Sequence, residues 1–80
     1  MKAHVLIMPR DGVLDPQGKA IANALHGLGF DDVGGARQGK LIEIDLAGND
    51  LEAAKGRVVA MCEKLLANSL IETYRIHIEG

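Results

Sequence analysis

Few side chains in this sequence could carry covalent or acid–base chemistry, and their spacing keeps most of them apart. Cys62 is the only thiol. It falls on the apolar stripe of a helical pattern, where burial raises a thiol's pKa and lowers its reactivity, so it reads as a core residue. The three histidines, His4, His26 and His77, are spread over a strand, a helix face and another strand. His4 and His77 could meet across neighbouring strands, but no third ligand completes a metal site. Surface or subunit-edge positions suit all three. The hydroxyls Ser69, Thr73 and Tyr74 crowd near the C-terminus and form no Ser/His/Asp grouping. The acidic pair Asp31-Asp32 reads as a solvated turn with local hydrogen bonds.

Two glycine-bearing segments come closer to a site. Gly34-Gly35-Ala36-Arg37-Gln38-Gly39-Lys40 combines approachable backbone amides with two cations. It lacks the helix that follows a phosphate-binding loop, so a flexible turn between strands is the simpler reading. Asp15-Pro16-Gln17-Gly18 is, locally, a helix start. The Asp side chain can accept from the free amides of the first turn, and Pro at the first helical position loses no hydrogen bond.

The elements that position these residues follow without a linker. Lys2–Pro9 reads as a strand, with Val5 and Ile7 on one face and Leu6 and Met8 on the other. A strand apolar on both faces is usually central. After a turn over 10–14, Ile21, Ala24, Leu25 and Leu28 give the stripe of an amphipathic helix. Gly29 ends it in the left-handed conformation, with Phe30 folding back on Leu25. Val33–Arg37 and Lys40–Leu46 both look extended, and either a hairpin about Gln38-Gly39 or one strand bent at the glycine fits them. Asn49 can cap a second helix, with Glu52 reaching back to it. Its stripe is Leu51, Ala54, Val58, Met61, Cys62 and Leu65, and Asn68 can end it in the left-handed region. Tyr74, Ile76 and Ile78 alternate with Arg75, His77 and Glu79 in a last strand.

The order is βαβ(β)αβ. It predicts an α+β, ferredoxin-like two-layer sandwich: an antiparallel sheet with both helices on one face, in a single domain over 1–80. The other sheet face, with Leu6, Met8 and Leu41, then needs a cover. A chain of 80 residues supplies only about 3–5 kcal/mol from its core unless something assists it. With no internal disulfide and no structural metal pattern, a second copy of the chain is the natural cover.

Composition excludes other classes. The net charge is −2, both signs are interspersed, and Phe30 and Tyr74 are the only aromatics. Nucleic-acid binding would call for a basic stripe and stacking rings. The longest apolar run, Val5-Leu6-Ile7-Met8, is far too short to span a membrane. The start, Met1-Lys2-Ala3-His4, lacks the apolar stretch of a secretory signal, and with the lone thiol this leads us to expect the cytoplasm.

The segment Gly12-Val13-Leu14-Asp15-Pro16-Gln17-Gly18 resembles the signature that opens the first helix of the PurS family. The resemblance continues through Leu28-Gly29-Phe30 and through Arg37-Gln38-Gly39-Lys40, similar to the family's Arg-x-Gly-Lys element. It closes with Met61-Cys62-Glu63-Lys64-Leu65-Leu66-Ala67-Asn68 and Ile71-Glu72-x-Tyr74. These blocks lie in register along nearly the whole chain. Ser69, where many relatives carry proline, and Gly34-Gly35 depart from the pattern and bear on local backbone only.

The resemblance implies a non-catalytic subunit of phosphoribosylformylglycinamidine synthase, which converts formylglycinamide ribonucleotide, glutamine and ATP to formylglycinamidine ribonucleotide in purine synthesis. Such a subunit forms a homodimer or larger self-assembly. It joins a large synthetase subunit to a glutaminase subunit and supports ammonia transfer between them. It carries no cofactor of its own, ATP and magnesium being expected on the large subunit, and meets neither nucleic acid nor membrane. On this basis Arg10, Asp15, Pro16, Gln17, Gly18, Arg37, Gly39, Lys40 and Asn68 are candidate partner contacts. The alternative is a small-ligand regulatory module of ACT-like kind, which shares the element order. No residue grouping supports a stand-alone enzyme.

Overall fold

The computed structural model describes residues 1–80. Strand β1 (Lys2–Pro9) lies at the centre of a three-stranded antiparallel sheet, between β2 (Lys40–Asp45) and β3 (Glu72–Glu79). Helix α1 (Pro16–Gly27) joins β1 to β2, and α2 (Leu51–Met61) joins β2 to β3. The architecture is the expected α+β, ferredoxin-like one, in the order βαβαβ.

The central place of β1 follows from its residues. Ala3, Val5 and Ile7 are buried on the face that meets α2, where Ala54, Val58 and Cys62 close the core from the helix side. Ile42, Ile44, Ile76 and Ile78, half-buried on the flanking strands, pack against the same cluster. Alternation on β3 places Tyr74, Ile76 and Ile78 inward while Arg75, His77 and Glu79 stay exposed, as its period-2 pattern predicts.

Both helix starts are capped by aspartate. Asp15 caps α1, its side chain accepting from the Gly18 amide, and Pro16 takes the first helical position. At the other end Gly29, at φ +98°, donates to the His26 carbonyl, and the Phe30 amide returns to the Leu25 carbonyl. This paired arrangement satisfies the last free carbonyls, which requires the left-handed residue that glycine supplies. For α2 the cap is Asp50, one residue later than Asn49, with its side chain accepting from the Ala53 amide. Glu52 pairs with Lys55 at 3.7 Å instead of reaching back to the cap.

Three further expectations are corrected. Helix α2 ends in a π-helical turn over Cys62–Leu66, closed by the Ala67 amide on the Cys62 carbonyl. This wider turn leaves Leu65 83% exposed, while Leu66 packs against the core. Asn68 is not left-handed, since glycines alone take positive φ in this chain. Residues 33–39 form no strand. Gly39 shows why β2 begins where it does: a Cβ there would strike the Ile7 carbonyl and the Met8 sulfur, so only a bare backbone can enter the sheet at that point.

Helix α1 departs most from the sequence pattern. Ile21 and Leu28, read as its core stripe, are exposed, Leu28 by 73%. The residues it buries are Gly18 and Ala22, and neither belongs to the core cluster. The helix stands nearly free of the strands. The radius of gyration is accordingly 16.0 Å, against roughly 12 Å for a compact chain of this length.

Replacing Gly39 by Ala must push backbone against backbone and is expected to cost about 1–3 kcal/mol. Gly35→Ala, which meets open space, is expected to be neutral or slightly stabilising, by up to about 1 kcal/mol. Thermal unfolding of the two variants at one protein concentration checks the contrast.

Candidate functional site

The segments singled out in the sequence converge at one end of the sheet, where β1 leaves it at Pro9. The convergence is built on Asp15. One oxygen of its carboxylate accepts from the Gly18 amide at 2.9 Å and the other from the Gln38 amide at 3.0 Å. The same residue thus caps α1 and ties the approach to β2 against the first helical turn. Gly18 makes that contact possible, because a Cβ there would meet the Ala36 carbonyl and the Arg37 backbone.

Around this junction lies a cleft of about 300 Å³, lined by Asp15, Gln17, Gly39 and Lys40 with Leu14 and Ile71 among its apolar walls. A second, polar cleft beside it is lined by Arg10, Asp11, Arg37 and Thr73. Arg37 pairs with Asp11 at 3.5 Å and Lys40 with Glu72 at 4.0 Å. Ion pairs this exposed contribute little stability, which leaves both cations available to a partner.

Arg10 and Asn68 belong to the same end through the turn before β3. The Arg10 amide donates to the Ile71 carbonyl and its Nε to the Ser69 carbonyl, both at 2.8 Å. The Asn68 side chain accepts from the Leu70 amide at 3.2 Å, while the Asn68 amide donates to Glu72 Oε1 at 2.7 Å. Asn68 is therefore a turn-forming residue, and it reaches the cleft only through Glu72. Glu72, Leu14 and Ile71 are cleft residues that the sequence reading did not select. Their signal was present, since Leu14 and the Ile71-Glu72 pair stand in the family-like blocks.

The chemistry available here is recognition. Each Asp15 oxygen accepts a backbone amide, so the carboxylate is engaged in holding the two segments together. Cys62 lies away from this end in the core, where burial first and Glu63 second push its thiol pKa up. Tyr74 is raised likewise by burial, with Glu63 and Cys62 adding to it. No group of three or more His, Cys, Asp or Glu side chains gathers to hold a metal ion. His4 and His77 do meet, on the open sheet face, with rings stacked at 6.2 Å.

The amides of Gly18 and then Gln38 hold the Asp15 carboxyl below its ordinary value of 3.8, aided by Arg37 and opposed by partial dehydration. A depressed carboxylate contributes stability above its unfolded pKa and loses it as pH falls through the folded one. Asp15→Asn, which keeps an acceptor for only one amide, is expected to lower the Tm at pH 7. The gap to the wild type should narrow once the pH falls below about 4; melting curves of both proteins between pH 7 and pH 2.5 check this.

A family model described as PurS, phosphoribosylformylglycinamidine (FGAM) synthase, matches residues 2–80. The PurS subunit of that synthase from Methanocaldococcus jannaschii is 44% identical over 78 residues, covering 98% of this chain and 94% of the relative. The one from Bacillus subtilis is 42% identical over 80 residues, covering 98% and 92%. The crystal structure of M. jannaschii PurS superposes with a TM-score of 0.86 over 98% of this chain and 94% of that one. A chain of the PurLQS structure from Thermotoga maritima superposes with a TM-score of 0.85 at 30% identity, over 95% and 93%. Matched in sequence and backbone from strand β1 to strand β3, the chain belongs to the PurS family.

Proposed function

We propose that this chain, as one domain over 1–80, is the non-catalytic scaffold subunit of phosphoribosylformylglycinamidine synthase. The observation that carries the reading is the convergence of three family-like blocks, those at Gly12–Gly18, Arg37–Lys40 and Ile71-Glu72, on one exposed end of the sheet, where they line two adjoining clefts. The relative in the T. maritima PurLQS structure supports it. In this reading the chain joins a large synthetase subunit, which holds ATP and magnesium, to a glutaminase subunit. The partners then amidate formylglycinamide ribonucleotide with ammonia released from glutamine.

Arg10, Gln17, Arg37 and Lys40 are the contacts we assign to a partner, with the walls of the two clefts around them. Arginines at such rims favour interface roles because their planar fork binds carboxylates and carbonyls in fixed geometry. Asp15, Pro16, Gly18, Gly39 and Asn68 act indirectly, by setting the backbone that presents those groups. The chain also associates with copies of itself, which covers apolar surface left open on the sheet and on α1. No helix is long and apolar enough to cross a membrane, and a cytoplasmic location suits the reaction. The match to the PurS family over 2–80 favours this reading over a ligand-binding regulatory module.

Two measurements test the reading. Glutamine-dependent formation of formylglycinamidine ribonucleotide by the large and glutaminase subunits should rise at least about tenfold when this chain is added. Ammonia-driven turnover of the large subunit should change far less. No change in the glutamine-dependent rate would sink the scaffold reading. Arg37→Ala with Lys40→Ala should weaken co-elution with the large subunit by about 1–3 kcal/mol, at an unchanged Tm. A double variant that co-elutes like the wild type would remove these two residues from the interface.

A further inference from the structure

Three arginines meet around Thr73. The polar cleft of Arg10, Asp11 and Arg37 shares Arg37 and Thr73 with a third cleft, which adds Arg75, Leu6 and Met8. Register accounts for the meeting. Thr73 pairs with Met8 and Arg75 with Leu6, and both are exposed residues of β3, while Arg10 follows directly on the end of β1. Arg37 arrives on the segment that Asp15 holds through the Gln38 amide at 3.0 Å.

These cations are poorly neutralised. Neither Arg10 nor Arg75 pairs with a carboxylate, and Arg37 has only Asp11, at 3.5 Å. The Asp11 side chain is 99% exposed, so that pair costs little to break. The bond from Arg10 Nε to the Ser69 carbonyl at 2.8 Å fixes the side chain and leaves its terminal nitrogens to donate elsewhere. A local excess of positive charge thus stands in a chain of net charge −2. A two-fold contact with a second copy would set arginines against arginines, so a copy is a poor occupant. A free phosphate would use the arginines but not the apolar wall of Leu6 and Met8 beside them. A polypeptide that carries carboxylates next to an apolar side chain uses both.

We propose that Arg10, Arg37 and Arg75, gathered around Thr73, dock an acidic segment of a partner subunit, and that Asp11 is the chain's own competitor for that place. The proposal rests on the scaffold reading and gives its partner surface a charge. In the free chain Asp11 keeps Arg37 loosely engaged in water. An arriving carboxylate takes the guanidinium in the paired geometry that arginine favours, and the Thr73 hydroxyl can donate to the same group. The partner also excludes water, which strengthens the new pairs over the exposed one they replace. Asp11 then loses its cation and repels the incoming carboxylates. Removing its charge therefore tightens the complex, although it deletes an ion pair of the free chain. Salt screens the attraction and weakens assembly.

Titration of the fluorescently labelled full chain with the large and glutaminase subunits reads the dissociation constant, and circular dichroism follows the fold of each variant. The wild type should weaken at least about fivefold between about 50 and 300 mM salt. Arg75→Gln should weaken binding at least about fivefold at the lower salt and flatten the salt response. Asp11→Asn, at a fully exposed side chain, should tighten binding about threefold. Sedimentation of the chain alone should be the same for all three proteins. The proposal is overturned if Asp11→Asn binds as the wild type does or more weakly, or if assembly ignores salt. It is also overturned if Arg75→Gln changes self-association, which would place that residue against a second copy. Inorganic phosphate that shifts the Thr73 and Arg75 amide resonances while assembly ignores salt would make this a small-anion site and overturn it too. The glutamine-dependent assay separates the two readings: a chain that restores turnover while its binding ignores Asp11→Asn refutes the acidic docking and leaves the scaffold standing.

Discussion

Asp15 is the side chain on which the arrangement of this protein turns. One carboxylate satisfies an orphan amide at the start of α1 and, with its second oxygen, an amide of the segment entering β2. Two pieces of chain more than twenty residues apart are thereby fixed to each other at the point where β1 ends. Gly18 and Gly39 allow the approach, because any side chain at either position would collide with backbone. The clefts, the placement of Arg37 and Lys40, and the direction in which α1 leaves the sheet all inherit their geometry from this junction.

The energetics divide the molecule in two. The sheet and α2 form a dry core in which the largest fully buried side chains are Ile7, Val5, Val58 and Cys62. Helix α1 and the segment to Gly39 add little to that core. They are held by hydrogen bonds: the Asp15 cap, the paired closure at Gly29, and His26 Nε2 on the Val33 carbonyl at 2.6 Å. Hydrogen bonds fix geometry but contribute modestly to net stability. The apolar stripe of α1, with Ile21 and Leu28 exposed, adds little to the stability of the single chain.

Local chemistry made much of this legible in the sequence. The bounds of β1, the Asp15-Pro16 start of α1, its glycine end, the alternation of β3 and the burial of Cys62 all follow from residue types at short range. What failed to show depends on distance or on competition between equals. Asn49 and Asp50 are both good caps, and only the path of the chain out of β2 selects the second. The π-helical turn that exposes Leu65 rests on the bond from the Ala67 amide to the Cys62 carbonyl, which no apolar periodicity announces. The stripe of α1 is a correct reading of an amphipathic helix, but periodicity says that a face is apolar without saying which molecule covers it. Most candidate residues were found through family-like blocks; Glu72 stands in one as well, but only tertiary placement brings its carboxylate to the cleft beside Lys40.

The molecule is a plate, 48 by 25 by 14 Å along its principal axes. A body one helix and one sheet thick has no interior wide enough to enclose a conduit. Any route by which a small, reactive molecule such as ammonia passes this protein must run along its surface and be sealed by whatever lies against it. In the scaffold reading proposed above, its part in such a transfer is that of one wall of a corridor, and the corridor exists only while the opposite wall is in place. A leak would then report on how the plate is seated rather than on damage to the plate itself.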